Sequence, residues 1–500
     1  MFKKMRLVSF CMVLVLLTVI ISACGVEKKT TGEMPKVYLY MNNGAASAGN
    51  SSNEDVLQEI KKYIMDKVGI EPIIVMPPAG AEKEKLNMLL SSNENIDVFW
   101  QSWNEYRANN IIIPLNDLIE KKGKDLQQAY SENAWRAMTD KEGKIWGIPR
   151  NTDAVNFPVY IRKDWLSKYG LSMPKTTEDL EKVLRAFKEK DPAGNSSTIP
   201  MIIQLDSIRK GLSAGFTGVG YGQWLDTSDN KIKPVELNPE YKNMLVLLNK
   251  WYKEGLIYRE SFIIKRNQIR EYIKQNKVGV HIEWASNITL FEPELKKSFP
   301  EANYDIAEID GPKGKSETVA KTSQNAAMIT KKSKNPEAAM TLLNWPYKNM
   351  DDYLTICFGA QGVHWKYSNN EKSNLAIEFI SENKGKYMGE YNFALGPLER
   401  KIDVNDVTLK KHYDYLKKHS SNFARATYPL DFNTYYDNKR ILEEVPRQGD
   451  IQRMLDEETV AFITGAKPIS EYDNFIANLY KIGLDNWIDS YTKQYNELNK

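Results

Sequence analysis

The sequence predicts an α/β protein with a mostly parallel sheet. From Lys36 onward short apolar runs alternate with amphipathic helical segments. Strand, helix, strand, helix and strand fit within about 65 residues, a spacing that calls for right-handed crossovers. Composition agrees: of 500 residues 42% are hydrophobic and 27% charged, with 28 Gly and 21 Pro. Those are ordinary globular values, and they exclude a disordered, collagen-like or polytopic membrane chain.

The first element is one the mature protein is expected to lose. Lys3, Lys4 and Arg6 precede an apolar run over 7–21, and small Ser22 and Ala23 follow it. This is the pattern of a cleaved export signal over 1–23 and not of a stable membrane span. Ile21-Ser22-Ala23-Cys24-Gly25 resembles the bacterial lipobox, which makes Cys24 the expected lipidated first residue and 24–35 a polar tether. Cys11 leaves with the signal and only Cys357 remains, among apolar neighbours, so no intramolecular disulfide forms and a buried inert thiol is expected. The formal charge of +3 also leaves with the signal, through Lys3, Lys4 and Arg6. A neutral mature chain is not an electrostatic nucleic-acid binder.

Strands are expected at 37–41 and 73–76, and IDVFW gives a third at 96–100. Between them Leu57, Ile60, Ile64 and Val68 share a helical face with Gly69 as its stop, and a second helix covers 82–90. Further on, Thr176 with Asp179 three residues later is a helix-capping pattern. Leu180, Val183, Leu184 and Phe187 then form one face ahead of the breaker Asp191-Pro192-Ala193-Gly194-Asn195. VGVHIE at 278–283 and AAMIT at 326–330 read as strands, 335–345 as a helix with a Pro start, and 470–498 as two helices split at Gly483.

Several motifs invite a catalytic reading, and their context argues against it. Gly211-Leu212-Ser213-Ala214-Gly215 fits G-x-S-x-G, but no strand delivers Ser213 to a turn, and the Gly-rich stretch that follows reads as a flexible loop. Ser207 and Lys210 have S-x-x-K spacing without companion motifs. The four His are scattered, so no metal site is expected from them. Residues 191–195 partly echo an oxygen-rich calcium loop, but position three is Ala193; a plain turn is the preferred reading and no cofactor is expected.

Tryptophan carries more information. Of 11 Trp, several follow predicted strands or loops: Trp100, Trp103, Trp146, Trp224, Trp284 and Trp365. Ligands of open α/β sheets bind beyond the carboxyl ends of strands, and an indole face packs on the C–H face of a sugar ring. As a set these residues point to a cleft, whereas Trp135, Trp165, Trp251, Trp345 and Trp487 lie in predicted helices and read as core.

The lipobox, IIPLNDLIEKKGKDL at 112–126, GKIWGIPRN at 143–151, the long block at 159–195, LLNKWYKEGLI at 247–257 and the closing stretch at 462–487 together resemble extracellular solute-binding proteins of the family 1 type. The likeness is to the large lipoproteins that serve carbohydrate importers in Gram-positive bacteria. Ala193 and Ser196 depart from relatives that carry an acidic residue and a Gly in a calcium loop.

The resemblance implies a two-lobed, periplasmic-binding-protein-like (type II) fold that closes on ligand by hinge motion. Lobe 1 is expected to hold 36–152 and about 320–348, and lobe 2 about 155–310 and 350–500, with crossings near 150–156, near 310–322 and after about 348. Trp100, Trp103 and Arg150 are placed on the first rim, Trp224 and Trp284 on the second, and Trp365 near the hinge. The expected function is capture of an extracellular oligosaccharide for an ABC permease by a monomer held to the membrane through its lipid. The permease subunits must be separate chains, because the sequence has no G-x-x-x-x-G-K-[ST] loop and no second long apolar span. An extracellular polysaccharide hydrolase and a carbohydrate sensor of a membrane kinase are the alternatives.

Overall fold

The computed structural model describes residues 33–41, 52–149, 157–316, 325–394, 402–415 and 436–498, short interruptions within these ranges aside. The expected export signal, Cys24 and most of the expected tether lie outside the described residues. The chain enters through β1 (Lys36–Tyr40), β2 (Glu71–Val75), β3 (Val98–Ser102) and β4 (Ile148–Pro149). It continues through β5 (Val159–Arg162), β6 (Ile199–Ile202), the hairpin of β7 (Gln223–Asp226) and β8 (Lys231–Pro234), β9 (Val278–Ile282) and β10 (Tyr304–Ala307). The pair β11 (Asp310–Gly311) and β12 (Gly314–Lys315) precedes β13 (Asn325–Ile329). β14 (Trp365–Tyr367), β15 (Ala376–Phe379) and β16 (Asp403–Val404) complete the strands described.

The first lobe is organised by a sheet of order β2-β1-β3-β13-β4. β1 runs parallel to β2 and β3, as the opening alternation predicts, and the late strand β13 inserts antiparallel between β3 and β4. Side chains alternate between the two faces: Leu39, Val98 and Trp100 bury on one, and Tyr40, Phe99 and Met328 on the other. Ile60 and Ile64 of the helix Glu54–Val68 cover the first face, and Leu86 and Leu89 of the helix Glu82–Ser91 the second. Gly69 ends the earlier helix at φ 65°, with its N–H bonded to the Met65 carbonyl, a conformation that favours glycine.

The second lobe has its own sheet, β10-β5-β9-β6. Only β6 and β9 are parallel, and β5 is antiparallel to both neighbours, so the mostly parallel expectation holds for the opening units alone. The helix Thr177–Lys190 is capped as predicted: the Thr176 hydroxyl accepts from the Asp179 N–H at 3.2 Å. Its buried Leu180, Val183, Leu184 and Phe187 each contribute about 1.5–3 kcal/mol when fully removed from water. Gly279 of β9 makes room for this face, since a Cβ there would lie 2.5 Å from the Phe187 ring.

Two sequence expectations are corrected. The sequence predicts a flexible loop over the glycine-rich stretch 215–222, yet its start, Gly215–Thr217, belongs to the helix Ser213–Thr217, whose Phe216 enters the second core with Ile208 and Leu212 of the preceding turns; the helix ends at Gly218. Glycine here permits close packing: a Cβ on Gly215 would lie 2.2 Å from Ser316 Oγ. The sequence also places the third crossing after about 348, with 350–500 in lobe 2. Instead Tyr353, Leu354, Ile356, Trp365, Ile377, Ile402 and Val404 bury in the first lobe's core. The chain joins the second lobe only after Val404, where Thr408 donates to Glu292 at 3.3 Å and Lys411 donates to the Tyr304 carbonyl at 2.6 Å. Tyr436, Ile441 and the helices Tyr472–Lys481 and Leu484–Leu498 then pack into the second core, split at Gly483 as expected. The other two expected crossings fall on 150–156 and mainly on 317–324, outside the described residues.

Candidate functional site

The strand directions identify which sheet edges the chain links. The chain leaves the first lobe beyond the carboxyl end of β4 and enters the second at the amino end of β5. It returns beyond β10, which is antiparallel to β5, to the amino end of β13, which is antiparallel to β4. Both passages therefore join the edge where β1, β3 and β4 end to the edge where β6, β9 and β10 end. These carboxyl edges are where an α/β sheet presents ligand-binding groups.

On the second lobe this edge carries a connected set of side chains. Trp284 lies two residues beyond β9 and is half-buried, and its indole meets the Phe157 ring edge-on with centroids 5.5 Å apart. Phe157 stands just before β5, and the Lys210 ammonium lies 4.7 Å from its ring centre while pairing with Asp206 at 2.8 Å. Glu283 accepts the Trp284 backbone N–H at 3.2 Å and faces two guanidiniums, Arg266 at 3.6 Å and Arg270 at 3.8 Å. Burial holds the Arg270 guanidinium below its ordinary pKa; Glu283 opposes that shift and Arg266 adds to it. Gln204, beyond β6, donates to the Ile264 carbonyl at 3.1 Å and ties the start of this basic helix, Arg266–Lys274, to the edge. An aromatic face beside charged hydrogen-bonding groups matches the two surfaces of a sugar ring.

The first lobe treats its predicted residues differently. Trp100 is 3% exposed and Trp103 2%, and both are core side chains. β3 runs over Val98–Ser102 where the sequence suggests 96–100, so Trp100 sits in mid-strand opposite Ala327 and not beyond its end. Trp103 opens the helix Trp103–Ala108 and turns inward, donating its indole N–H to the Ala137 carbonyl at 3.1 Å. Trp365 is fully buried in the first core and donates to the Gly359 carbonyl at 2.7 Å. These burials correct the placement of Trp100 and Trp103 on the rim and that of Trp365 among the ligand-binding residues. Arg150 lies outside the described residues. Trp224, on β7, is half-buried against the second core, with its indole N–H buried and without an acceptor. In the first lobe Trp146 donates to Asp140 at 2.7 Å, and the Arg107 guanidinium lies 5.3 Å from its ring and 3.1 Å from the same carboxylate. The helix carrying Arg107 approaches the helix Asn438–Glu444 of the second lobe.

The catalytic motifs dissolve on inspection. Ser213 is fully buried and donates its hydroxyl to the Arg209 carbonyl at 2.6 Å, which leaves no nucleophile at an elbow. Asp191 caps its helix at φ 45°; its carboxylate accepts the Ser196 N–H at 2.7 Å and the Thr198 N–H at 3.1 Å, forming a closed turn. His281 is enclosed by the Tyr160, Phe291 and Tyr304 rings, and burial, with Arg270 adding to it, lowers its pKa to about 3. Among the described residues no three His, Cys, Asp or Glu side chains are grouped to hold a metal ion.

Of the residues the sequence proposes, Trp284 stands at this edge, and Phe157, Gln204, Arg266, Arg270 and Glu283 stand near it without having been expected. Arg266 and Arg270 stand four apart on a helix whose other face, Ile269 and Ile273, is buried; that spacing was a readable signal of a basic face.

The model of the family described as bacterial extracellular solute-binding protein matches residues 45–351, more than half of the chain. The chain belongs to that family. As a solute-binding protein it is 25% identical over 430 residues to the fructooligosaccharide ABC transporter substrate-binding protein FusA of Streptococcus pneumoniae, a match covering 77% of this chain and 76% of FusA. It is 30% identical over 289 residues to the lipoprotein LipO of Bacillus subtilis, covering 54% of this chain and 56% of LipO. In three dimensions it is similar to the N-glycan transport solute-binding protein NgtS of Streptococcus pneumoniae, with a TM-score of 0.71 at 20% identity, covering 93% of this chain and 98% of NgtS. That likeness establishes the two-lobed solute-binding fold, in which hinge closure around ligand is the expected motion.

Proposed function

We propose that this solute-binding protein captures an extracellular oligosaccharide between the two carboxyl edges and delivers it to an ABC importer, without bond chemistry. The observation that carries this reading is the Trp284–Phe157 pair at the end of β9, a half-buried aromatic surface flanked by polar groups in a member of a solute-binding family. Relatives named for fructooligosaccharide and N-glycan transport support a glycan as the ligand class. Arg150, directly after β4 in sequence, is proposed to reach the cleft from the first lobe, and Trp224 to border it from the second. The protein is a monomer tethered through a lipid on Cys24 to the extracytoplasmic face of the membrane, in line with the lipobox and with LipO being a lipoprotein. Bound glycan contacts both lobes and so favours the closed form, which the permease subunits recognise.

A thermal-shift screen of the purified protein against plant and microbial oligosaccharides tests this, because a ligand of the native state raises its melting temperature. The expected result is one glycan class that stabilises the protein, binds stoichiometrically and is recovered intact. Slow glycan cleavage by pure protein would instead revive the hydrolase.

A further inference from the structure

We propose that the captured glycan is acidic, carrying a uronate or another carboxylated sugar, and that Arg266 and Arg270 receive its carboxylate beside Trp284. The inference rests on the capture reading and adds the charge of the ligand.

Among the described residues the local charge does not close without a partner. Arg266 and Arg270 share one carboxylate, Glu283, at 3.6 and 3.8 Å. Those separations exceed hydrogen-bonding distance, so Glu283 offsets charge without satisfying the guanidinium donors. One of its oxygens already accepts the Trp284 N–H. The Arg270 side chain is only 14% exposed, and its Nε–H is buried with no acceptor. A buried donor of a charged group left without an acceptor is among the costlier defects a folded protein can carry. The rim's other pair, Lys210 with Asp206, is balanced, so among the described residues of this rim one positive charge is left over.

The frame is rigid enough to aim that charge. Ile269 and Ile273 fix the helix Arg266–Lys274 on the lobe, and the Lys265 N–H closes its start on the Gln268 side chain at 3.0 Å. The two guanidiniums therefore project at i and i+4 from a held surface. A neutral hydroxyl can accept one N–H but leaves the excess charge in place. A carboxylate accepts two N–H groups in the planar fork of arginine and neutralises it. With its carboxylate there, an acidic sugar sits next to the half-buried Trp284 indole, the aromatic surface for its C–H face.

The test is titration calorimetry on the tethered chain without its signal. The probes are trimers of galacturonate, glucuronate and mannuronate, the methyl ester of each, and a panel of neutral trisaccharides. At least one tri-uronate is expected to bind at least about tenfold more tightly than its ester. Arg270→Met and the more exposed Arg266→Gln are each expected to remove most of that difference while the melting temperature of Arg266→Gln stays at the parent value. Equal binding of acid and ester, a clear preference for neutral trisaccharides, or full uronate affinity in both variants would overturn the acidic ligand and leave glycan capture standing. Failure of every glycan to bind would overturn both.

Discussion

Tryptophans at the ends of the two sheets meet opposite fates, and the difference lies in how the chain continues after each strand. In the first lobe β3 extends two residues past Trp100 and then passes directly into a helix that draws Trp103 under its neighbours. Helices cover both faces of that sheet, so a large apolar side chain on β3 has nowhere to go but the core. In the second lobe β9 stops at Ile282, and Trp284 stands beyond it, half-buried, with the Phe157 edge as its aromatic neighbour. The same residue type thus serves stability on one edge and, in the proposed function, recognition on the other, decided by two residues of strand length.

The sharpest way to break this comparison is truncation on each side. Trp100→Ala should cost about 3–5 kcal/mol in urea unfolding, because it empties a volume enclosed by β1, β13 and the helices above. Ligand affinity of the molecules that remain folded should be unchanged; an intact unfolding midpoint with lost affinity would return Trp100 to the rim. Trp284→Ala should do the reverse, weakening glycan binding by about 2 kcal/mol, roughly thirtyfold, with a smaller change in melting temperature. Unchanged calorimetric affinity would remove Trp284 from the site.

How much of this is legible in sequence depends on the range of the forces involved. Local signals are readable: the Thr176 cap, the Gly69 stop, the 335–345 helix and the split at Gly483 all depend on residues within a turn or two of each other. The end of β3 is not, because whether the strand runs on past Trp100 is set by its pairing with β13, more than two hundred residues away. The boundary near 350 fails for a similar reason. Residues 353–404 are apolar enough to pack on either lobe, and only the contacts of Ile377 and Val404 with the first core, against those of Thr408 and Lys411 with Glu292, show where the chain changes sides. At the site, Glu283-Trp284 is visible in sequence, but Phe157 reaches the indole and Arg270 the carboxylate from two other segments, and no local pattern encodes that.

A smaller effect separates the second lobe's rim from the core immediately behind it. His281 is three residues before Trp284, and its ring nitrogens are buried without partners among aromatic rings. Its folded pKa of about 3 lies below the unfolded value of 6.5. The folded state therefore binds fewer protons between these values, and the stability that neutral His281 permits is complete above about pH 6.5 and lost as pH falls toward 3. His281→Phe should remove about 1 kcal/mol of the loss between about pH 7 and about pH 5.5 in urea unfolding. An equal pH dependence in both proteins would show that His281 titrates alike in the folded and unfolded states.

The smallest expected effect concerns the two lobes' helix ends. Gly69 ends its helix in the left-handed region without strain, whereas Asp191 occupies the same region at φ 45° and pays about 1–2 kcal/mol for its Cβ. The Asp191 carboxylate offsets this by accepting the Ser196 and Thr198 amides, which leaves that group committed to the turn itself. Ala193 adds no oxygen at the position where a calcium loop needs one, and the described residues supply no acidic cluster around it. Excess calcium and excess chelator should accordingly give the same melting temperature, while Asp191→Ala lowers it in both. A calcium-dependent rise lost in Asp191→Ala would reverse this, since it would require the carboxylate to exchange its amide bonds for a cation.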